Sequence, residues 1–298
     1  MARPRQLVVV ADDFGIGPEI DRAILELGAA GLVASTVLIV NSPFAEAAVA
    51  AWQRAGRPVE LGWHPALTID RPILPPERVP SLVDASGRFR PLGRFLRRVA
   101  WGRLRSSEVA AELAAQYDRF RELAGAPPVL VNSHQHVSLF RPVNAALREL
   151  LASKAERPFV RRVREPWRLL TRIPGARIKR AVLSTLGRRQ AKALERDGFP
   201  GCDWLAGITD PPFVADPAFH ERWLARIPGR AVELTCHPGY HDCTLIGRDC
   251  LGEDEWLVRR VRELELFRRP GFREMVRGAG FELVPASRIG REPSRVAA

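Results

Sequence analysis

The sequence predicts a single α/β unit, a TIM-like (β/α) barrel with allowance for distortion, whose active site lies at the C-terminal ends of parallel strands. Three observations carry this. Strand-like apolar runs alternate with stretches of helical period along the chain, the pattern of a parallel sheet crossed over by helices. Eight such runs fall within 298 residues, which suits a closed barrel better than an open doubly wound sheet, the other arrangement the pattern allows. Acidic and histidine side chains sit at or just past the ends of several runs, the edge where active sites of parallel α/β folds form.

Taken in order, the first run is Leu7–Ala11, a continuous apolar stretch of the kind covered on both faces, and Asp12-Asp13 follow it. Residues Glu19 to Leu27 repeat apolar side chains at Ile20, Ala23, Ile24 and Leu27 before Gly28 and Gly31, a helix with a glycine stop. The second strand is Ser35–Val40 and the third Val59–Trp63, with His64 next. Arg71–Arg98, rich in Pro and Gly, reads as a long loop over one end of the sheet. Ser106 or Ser107 is placed to cap a helix burying Val109, Leu113, Tyr117 and Phe120. Val129–Ser133 is the fourth strand, running into Ser133-His134-Gln135-His136, and Pro142–Leu151 is helical. Phe159–Arg164 is the fifth and ends at Arg164-Glu165. Trp204–Ile208, Ala231–Cys236 with His237 after it, and Phe281–Val284 complete the set, a helix over Glu253–Phe267 preceding the last. Residues 1–290 are expected to form one domain and 291–298 a loose tail.

Composition narrows the class. With 46% hydrophobic and 27% charged residues the chain is of ordinary globular type. No apolar run reaches the roughly 18 residues of a membrane span. The start, Met-Ala-Arg-Pro-Arg-Gln, leads straight into the first strand without a leader-like apolar region, so a cytoplasmic location is expected. Cys202, Cys236, Cys243 and Cys250 form no C-x-x-C pair and no disulfide framework. Cys236, His237, His241 and Cys243 are close in sequence, but their spacing matches no zinc-finger pattern.

The net charge of +12 is local: residues 154–196 hold 14 Lys and Arg against 3 Asp and Glu, leaving 32 against 31 elsewhere. This segment, with Ile178, Val182, Leu183 and Leu186 among its cations, reads as a basic amphipathic helix. It is either a solvated surface helix or a patch that meets an acidic substrate or an anionic membrane, which would be the inner membrane surface. No nucleic-acid module is recognisable, and no nucleic-acid partner is expected.

Asp and neutral imidazole are good ligands for a divalent ion, and a catalytic ion with three protein ligands keeps a position for water. Adjacent carboxylates at a strand end point in different directions, so one can ligate while the other acts as a general base. Other motifs fail. Asp13-Phe14-Gly15 has no accompanying kinase elements, Gly15-Ile16-Gly17 lacks the third glycine of a dinucleotide fingerprint, and there is no G-x-S-x-G elbow.

The ordered blocks Ala11-Asp12-Asp13-Phe14-Gly15, Leu61-Gly62-Trp63-His64, Pro80-Ser81-Leu82-Val83-Asp84, Ser133-His134-Gln135-His136 and Thr235-Cys236-His237-Pro238-Gly239-Tyr240 resemble the YdjC-type carbohydrate deacetylases, whose members include enzymes of chito-oligosaccharides and hopanoid-associated relatives. The resemblance implies a (β/α) barrel, one divalent metal ion (zinc or magnesium) and hydrolysis of an N-acetyl group on an amino sugar, free, oligomeric or in a glycolipid. It implies Asp13, His64 and His134 as ligands, Asp12 as general base and His237 as acid or oxyanion partner. His136, Arg164 and Glu165 would line the substrate pocket. The chain departs from the family at Asn132, where members often carry Asp, at Gly17 and Asp21, where Ser and Asn are common, and at Trp63, a large residue beside a ligand. Two other readings compete: a phosphoesterase using Arg161, Arg162 and Arg164, and a non-catalytic binding module acting through the basic segment.

Overall fold

A computed structural model describes residues 4–250, 252 and 254–290, so the tail expected at 291–298 lies outside the described residues. The apolar runs become eight strands, all paired in parallel. The order is β1 (Arg5–Phe14), α1 (Pro18–Ala29), β2 (Ser35–Leu38), α2 (Ala45–Arg54), β3 (Glu60–Trp63), α3 (Leu92–Ala100), α4 (Ser106–Ala124), β4 (Leu130–Val131), α5 (Arg141–Ala152) and β5 (Phe159–Val160). It continues with α6 (Trp167–Arg172), α7 (Arg177–Arg196), β6 (Trp204–Ala206), α8 (Phe219–Leu224), β7 (Ala231–Cys236), α9 (Glu255–Arg268), α10 (Phe272–Gly278) and β8 (Phe281–Leu283). No helix among the described residues is long and apolar enough to cross a membrane.

The sheet runs β5-β4-β3-β2-β1-β7-β6, with β8 beside the first residues of β1. β2 joins the same side of β1 only from Val10 onward, so β8 wedges between the two at their base. Ser35 Oγ accepts from Ala286 N (3.2 Å) and Glu60 from Ser287 N (3.1 Å), which pins the wedge. At the far ends, β5 and β6 share no ladder. Two backbone hydrogen bonds, Val160 N to Pro200 O (2.8 Å) and Leu205 N to Arg164 O (2.9 Å), bring these edges together. The result is a curled parallel sheet with its edges in contact, short of the fully laddered barrel that the strand count suggested.

Strand alternation sorts the side chains into two layers. Leu7, Val9 and Ala11 of β1 face the helices, as do Val232, Leu234 and Cys236 of β7. Val8 and Val10 face the interior, where they meet Val37, Leu130, Phe159 and Val284. The next members of these inward rows are Asp12 on β1 and Glu233 and Thr235 on β7, so the apolar interior gives way to charge near the strands' C-terminal ends.

Two expectations need correction. The segment 71–98 is not wholly a loop: α3 occupies its end and the residues beyond it, with Phe95 buried and its arginines outward. The helix at 106 has no side-chain cap, because Ser106 is already its first residue and Arg105 precedes it. The basic segment does form a helix, α7, but Arg180 within it is buried.

Candidate active site

The floor of the site is a buried ion network. Arg161, just past β5, donates to both oxygens of Asp12 (2.6 and 2.8 Å) and through Nε to Glu233 (2.6 Å). Thr235 Oγ1 (3.1 Å) and Asn132 Nδ2 (3.2 Å) also donate to Asp12. Burial alone would raise the Asp12 carboxyl, but the paired guanidinium outweighs it and holds the group ionised, well below the usual carboxylate range. Glu233, sharing the same arginine, is raised by burial.

Asp13 breaks the strand. Its φ of 68° is left-handed, and the register with β2 shifts between Ala11 and Phe14. A bulge of this kind re-aims a side chain at the cost of local strain. Here Asp13 Oδ1 lies 3.2 Å from His64 Nε2 and 2.9 Å from His134 Nδ1, while Oδ2 accepts from Arg260 (2.7 Å). Burial opposes ionisation of Asp13; Arg260 and His134 overcome it and keep the carboxyl well below its ordinary value. His134 is pushed down by burial but raised overall, to about 10, by Asp13 and by Asp249, 3.6 Å from its Nε2.

These three side chains are buried and offer one ligand atom each, all within 4.8 Å of one another. The hydrogen-bonding pattern tests whether a cation suits them. His64 Nδ1 lies 2.8 Å from the carbonyl oxygen of Asn132. A carbonyl only accepts, so Nδ1 carries the proton and, in the neutral ring, the Nε2 lone pair is aimed at the Asp13 carboxylate. A cation between them converts that opposition into coordination, and the carbonyl supplies the outer hydrogen bond that ligating histidines usually have. The donor set therefore fits a divalent ion.

His237, past β7, reaches within 3.8 Å of Asp12 Oδ2 through Nε2, and its Nδ1 is 3.5 Å from Arg259 Nη2. Glu263 of α9 accepts from the His237 backbone N and from Arg259 Nε (2.6 Å), which fixes both. Burial first, then Arg259, lowers His237 to about 4. His136 sits beside the floor in a left-handed turn (φ 56°) and is lowered to about 3 by burial and by Arg161.

A cavity of about 590 Å³ opens over this floor and is lined by Asp12, Asp13, His64, His134, His136 and His237 among others. A hollow of about 610 Å³ near the starts of β2, β3 and β4 contains none of them. Arg164 and Glu165 do not line this cavity. Arg164 pairs with Glu195 (2.8 Å) and Glu165 with the buried Arg180, so the two tie α7 to the end of β5. Arg161 and Arg162 are likewise committed, to Asp12 and Glu233 and to Glu195, which removes the free cations on which a phosphoesterase reading rested. Cys236 is buried and points to Val10 O, and Cys243 lies 3.8 Å from His241 Nδ1. Among the described residues neither belongs to a metal-holding cluster.

The departures from the family pattern have local causes. A Cβ at Gly17 would stand 2.5 Å from Asp242 Oδ2, the oxygen that accepts from Glu19 N (2.9 Å) at the start of α1. Asp21, near that same Asp242, accepts from Gly15 N and is raised to about 8 by burial. Asn132 supports Asp12 through its amide and His64 through its carbonyl, rather than His134. Trp63 turns away from the ligands and meets Tyr117 edge-on at 5.7 Å. Arg260, Asp249, Arg259 and Glu263 escaped sequence reasoning, since paired ions inside a helix or loop look like surface residues.

A curled parallel sheet bearing an Asp-His-His cluster and a second carboxylate at the strands' C-terminal ends defines the protein as an α/β chain with the donor set of a mononuclear metalloenzyme. The chain belongs to the YdjC-like protein family, whose pattern matches residues 6–278. It is 32% identical to a mouse protein named carbohydrate deacetylase, over 95% of this chain and 94% of the relative. It is 29% identical to a Serratia marcescens protein named chitooligosaccharide deacetylase, over 93% of this chain and 96% of the relative. Among solved structures, an Enterococcus faecalis protein provisionally named for cellobiose-phosphate cleavage superposes with a TM-score of 0.74, covering 95% of this chain and 98% of that one. At 22% identity, that likeness speaks for the fold alone.

Proposed function

We propose that the protein hydrolyses the N-acetyl group of an amino sugar. The carrying observation is the convergence of Asp13, His64 and His134 beside an ionised Asp12 inside one cavity, and relatives across the chain's length are named deacetylases. Asp13, His64 and His134 would hold a divalent ion, and the two imidazoles favour zinc over magnesium. When bound, such an ion supplies Lewis acidity that activates water and polarises the acetamide carbonyl.

Asp12 is the general base. Four donors saturate it, so it is a weak base, and its proton uptake is concerted with attack rather than completed beforehand. His237, neutral at pH 7 with Arg259 at its Nδ1, serves as an Nε2–H donor toward the developing oxyanion rather than as a standing acid. The proton taken by Asp12 is then the one returned to the leaving amine. His136 borders the sugar's position.

Acetate release from di-N-acetylchitobiose and N-acetylglucosamine tests this, with protein as purified, chelated and reloaded with zinc. Turnover should vanish on chelation and return on reloading. Asp12→Asn should retain the metal yet lose roughly 10²–10⁴-fold in kcat. Undiminished turnover by metal-free protein would refute the mechanism.

A further inference from the structure

His64 and His134 meet Asp13 through opposite ring nitrogens. Asp13 Oδ1 lies 3.2 Å from His64 Nε2 and 2.9 Å from His134 Nδ1. A cation held by this oxygen would therefore take the Nε2 lone pair of one ring and the Nδ1 lone pair of the other. Each ring then has one nitrogen left, which carries the proton and needs an acceptor. For His64 that nitrogen is Nδ1, and the Asn132 carbonyl oxygen stands 2.8 Å from it. For His134 it is Nε2, which is fully buried and has no hydrogen-bond partner among the described residues. The acceptor facing it is Asp249 Oδ1, at 3.6 Å, a gap that a small turn of either side chain closes to a hydrogen bond.

Asp249 is held in that place from several directions. Its backbone N donates to Leu245 O (3.0 Å), and Arg260 Nη2 bridges its Oδ2 (2.9 Å) to Asp13 Oδ2 (2.7 Å). The neighbouring Arg248 fastens the same segment to the rest of the fold, donating to Asp70 (2.6 and 2.9 Å) and to Ile16 O (2.8 Å). The charge of Asp249 matters as well as its oxygen. Arg260 brings a positive charge to the outer oxygen of Asp13, where alone it would oppose a bound cation, and Asp249 offsets it. Because Asp249 faces the far nitrogen of the His134 ring, it stands outside the ligand set.

We propose that Asp249, held by Arg260, is a positioning residue that fixes His134 with Nδ1 toward the cation and so sets the metal affinity of the site. The inference rests on the divalent ion of the deacetylase reading and needs no particular substrate.

The test measures zinc affinity by competition with a chromophoric chelator for the parent protein, Asp249→Ala and Asp249→Asn. Asp249→Ala should bind zinc about 10–100-fold more weakly, the usual loss when the outer partner of a histidine ligand is removed. Asp249→Asn keeps the shape and an acceptor oxygen but loses the charge, and should fall between the two. In the zinc-loaded parent, proton–nitrogen correlation spectra of histidine-labelled protein should show one ligand ring protonated at Nδ1 and the other at Nε2. Equal affinities, or both ligand rings protonated at the same nitrogen, would overturn the inference. So would a metal-free Asp249→Asn that unfolds well below the parent in urea yet binds zinc as tightly, since that is a purely structural role. Affinity falling as expected while the parent releases no acetate would sink deacetylation and keep the role of Asp249. No zinc bound by the parent would remove the site and the inference together.

Discussion

Six residue pairs join β1 to β7 in continuous register, from Gln6–Ala231 to Ala11–Cys236, and β2 continues the sheet on the other side of β1. Across the sheet, β4 and β5 are two residues long each, and β5 meets β6 through single hydrogen bonds. Asp12, Asp13, Thr235 and His237 stand on the first seam. The thin side carries Arg161, which completes the floor, and the ties that hold α7 beside the cavity. Asp12 and Asp13 thus stand at the end of a long ladder, whereas His134 and Arg161 follow two-residue strands and are tied to these carboxylates through their side chains. The comparison also shows how the thin seam survives: an arginine reaching from β5 to Asp12 and Glu233 replaces a missing ladder with three charge-assisted hydrogen bonds.

The sharpest way to break this arrangement is Arg161→Met. It leaves two buried carboxylates unpaired, and removal of one partner from such a network costs about 3–5 kcal/mol. The urea midpoint should fall accordingly, with deacetylation lost in the protein that remains folded. An unchanged midpoint would mean that the ladders alone hold the sheet together.

Gly187→Ala probes the thin side beside the cavity. A Cβ there would lie 1.6 Å from the carbonyl oxygen of Val163, so α7 must move away from the end of β5. Overpacking of this kind costs about 1–3 kcal/mol. The expected result is a moderate drop in stability together with weaker acetate release, measured by denaturation and by turnover of N-acetylglucosamine. Stability falling with turnover intact would show that the cavity does not depend on how α7 is seated.

Asp21 belongs to the strong side and is probed through pH rather than packing. Its folded carboxyl is raised to about 8, against about 4 when unfolded. Below pH 4 both states are protonated and the group is neutral in the balance. Between these values the folded state keeps a proton that the unfolded chain releases, so stability declines as pH rises, until both forms are ionised above 8. Asp21→Asn, which can still accept from Gly15 N, should flatten that decline in melting experiments between pH 5 and 8. Parallel profiles for the two proteins would remove Asp21 as its source.

The strong seam was the more legible in sequence. Leu7–Ala11 and Ala231–Cys236 are apolar runs with polar residues at their ends, so both strands and the carboxylates and histidine after them could be read directly. The short β5 was visible as Phe159-Val160, but not where it ended. Arg164 and Glu165 lie beyond it, and their side chains leave the cavity for Glu195 and Arg180. Closure was illegible for the same reason, since two isolated hydrogen bonds leave no mark on hydropathy. The α3 helix hid behind five arginines between Arg94 and Arg105. Arg260 and Asp249 hid because their burial depends on each other and on Asp13, a relation across distant segments that no local pattern encodes.

The wedge of β8 against β1 sets a clock on the chain's own synthesis. The strand that carries Asp12 and Asp13 emerges first, yet the partners of its first half are residues 231–236 and 281–283. At about 5–20 residues per second of translation, Gln6 waits roughly 10–45 s for Ala231 to be made. During that interval Leu7-Val8-Val9 is an apolar strand without its partners, of the kind that recruits other chains. A nascent chain truncated before Ala231 contains Asp13, His64 and His134 but lacks the β7 ladder on which the strand before Asp13 rests.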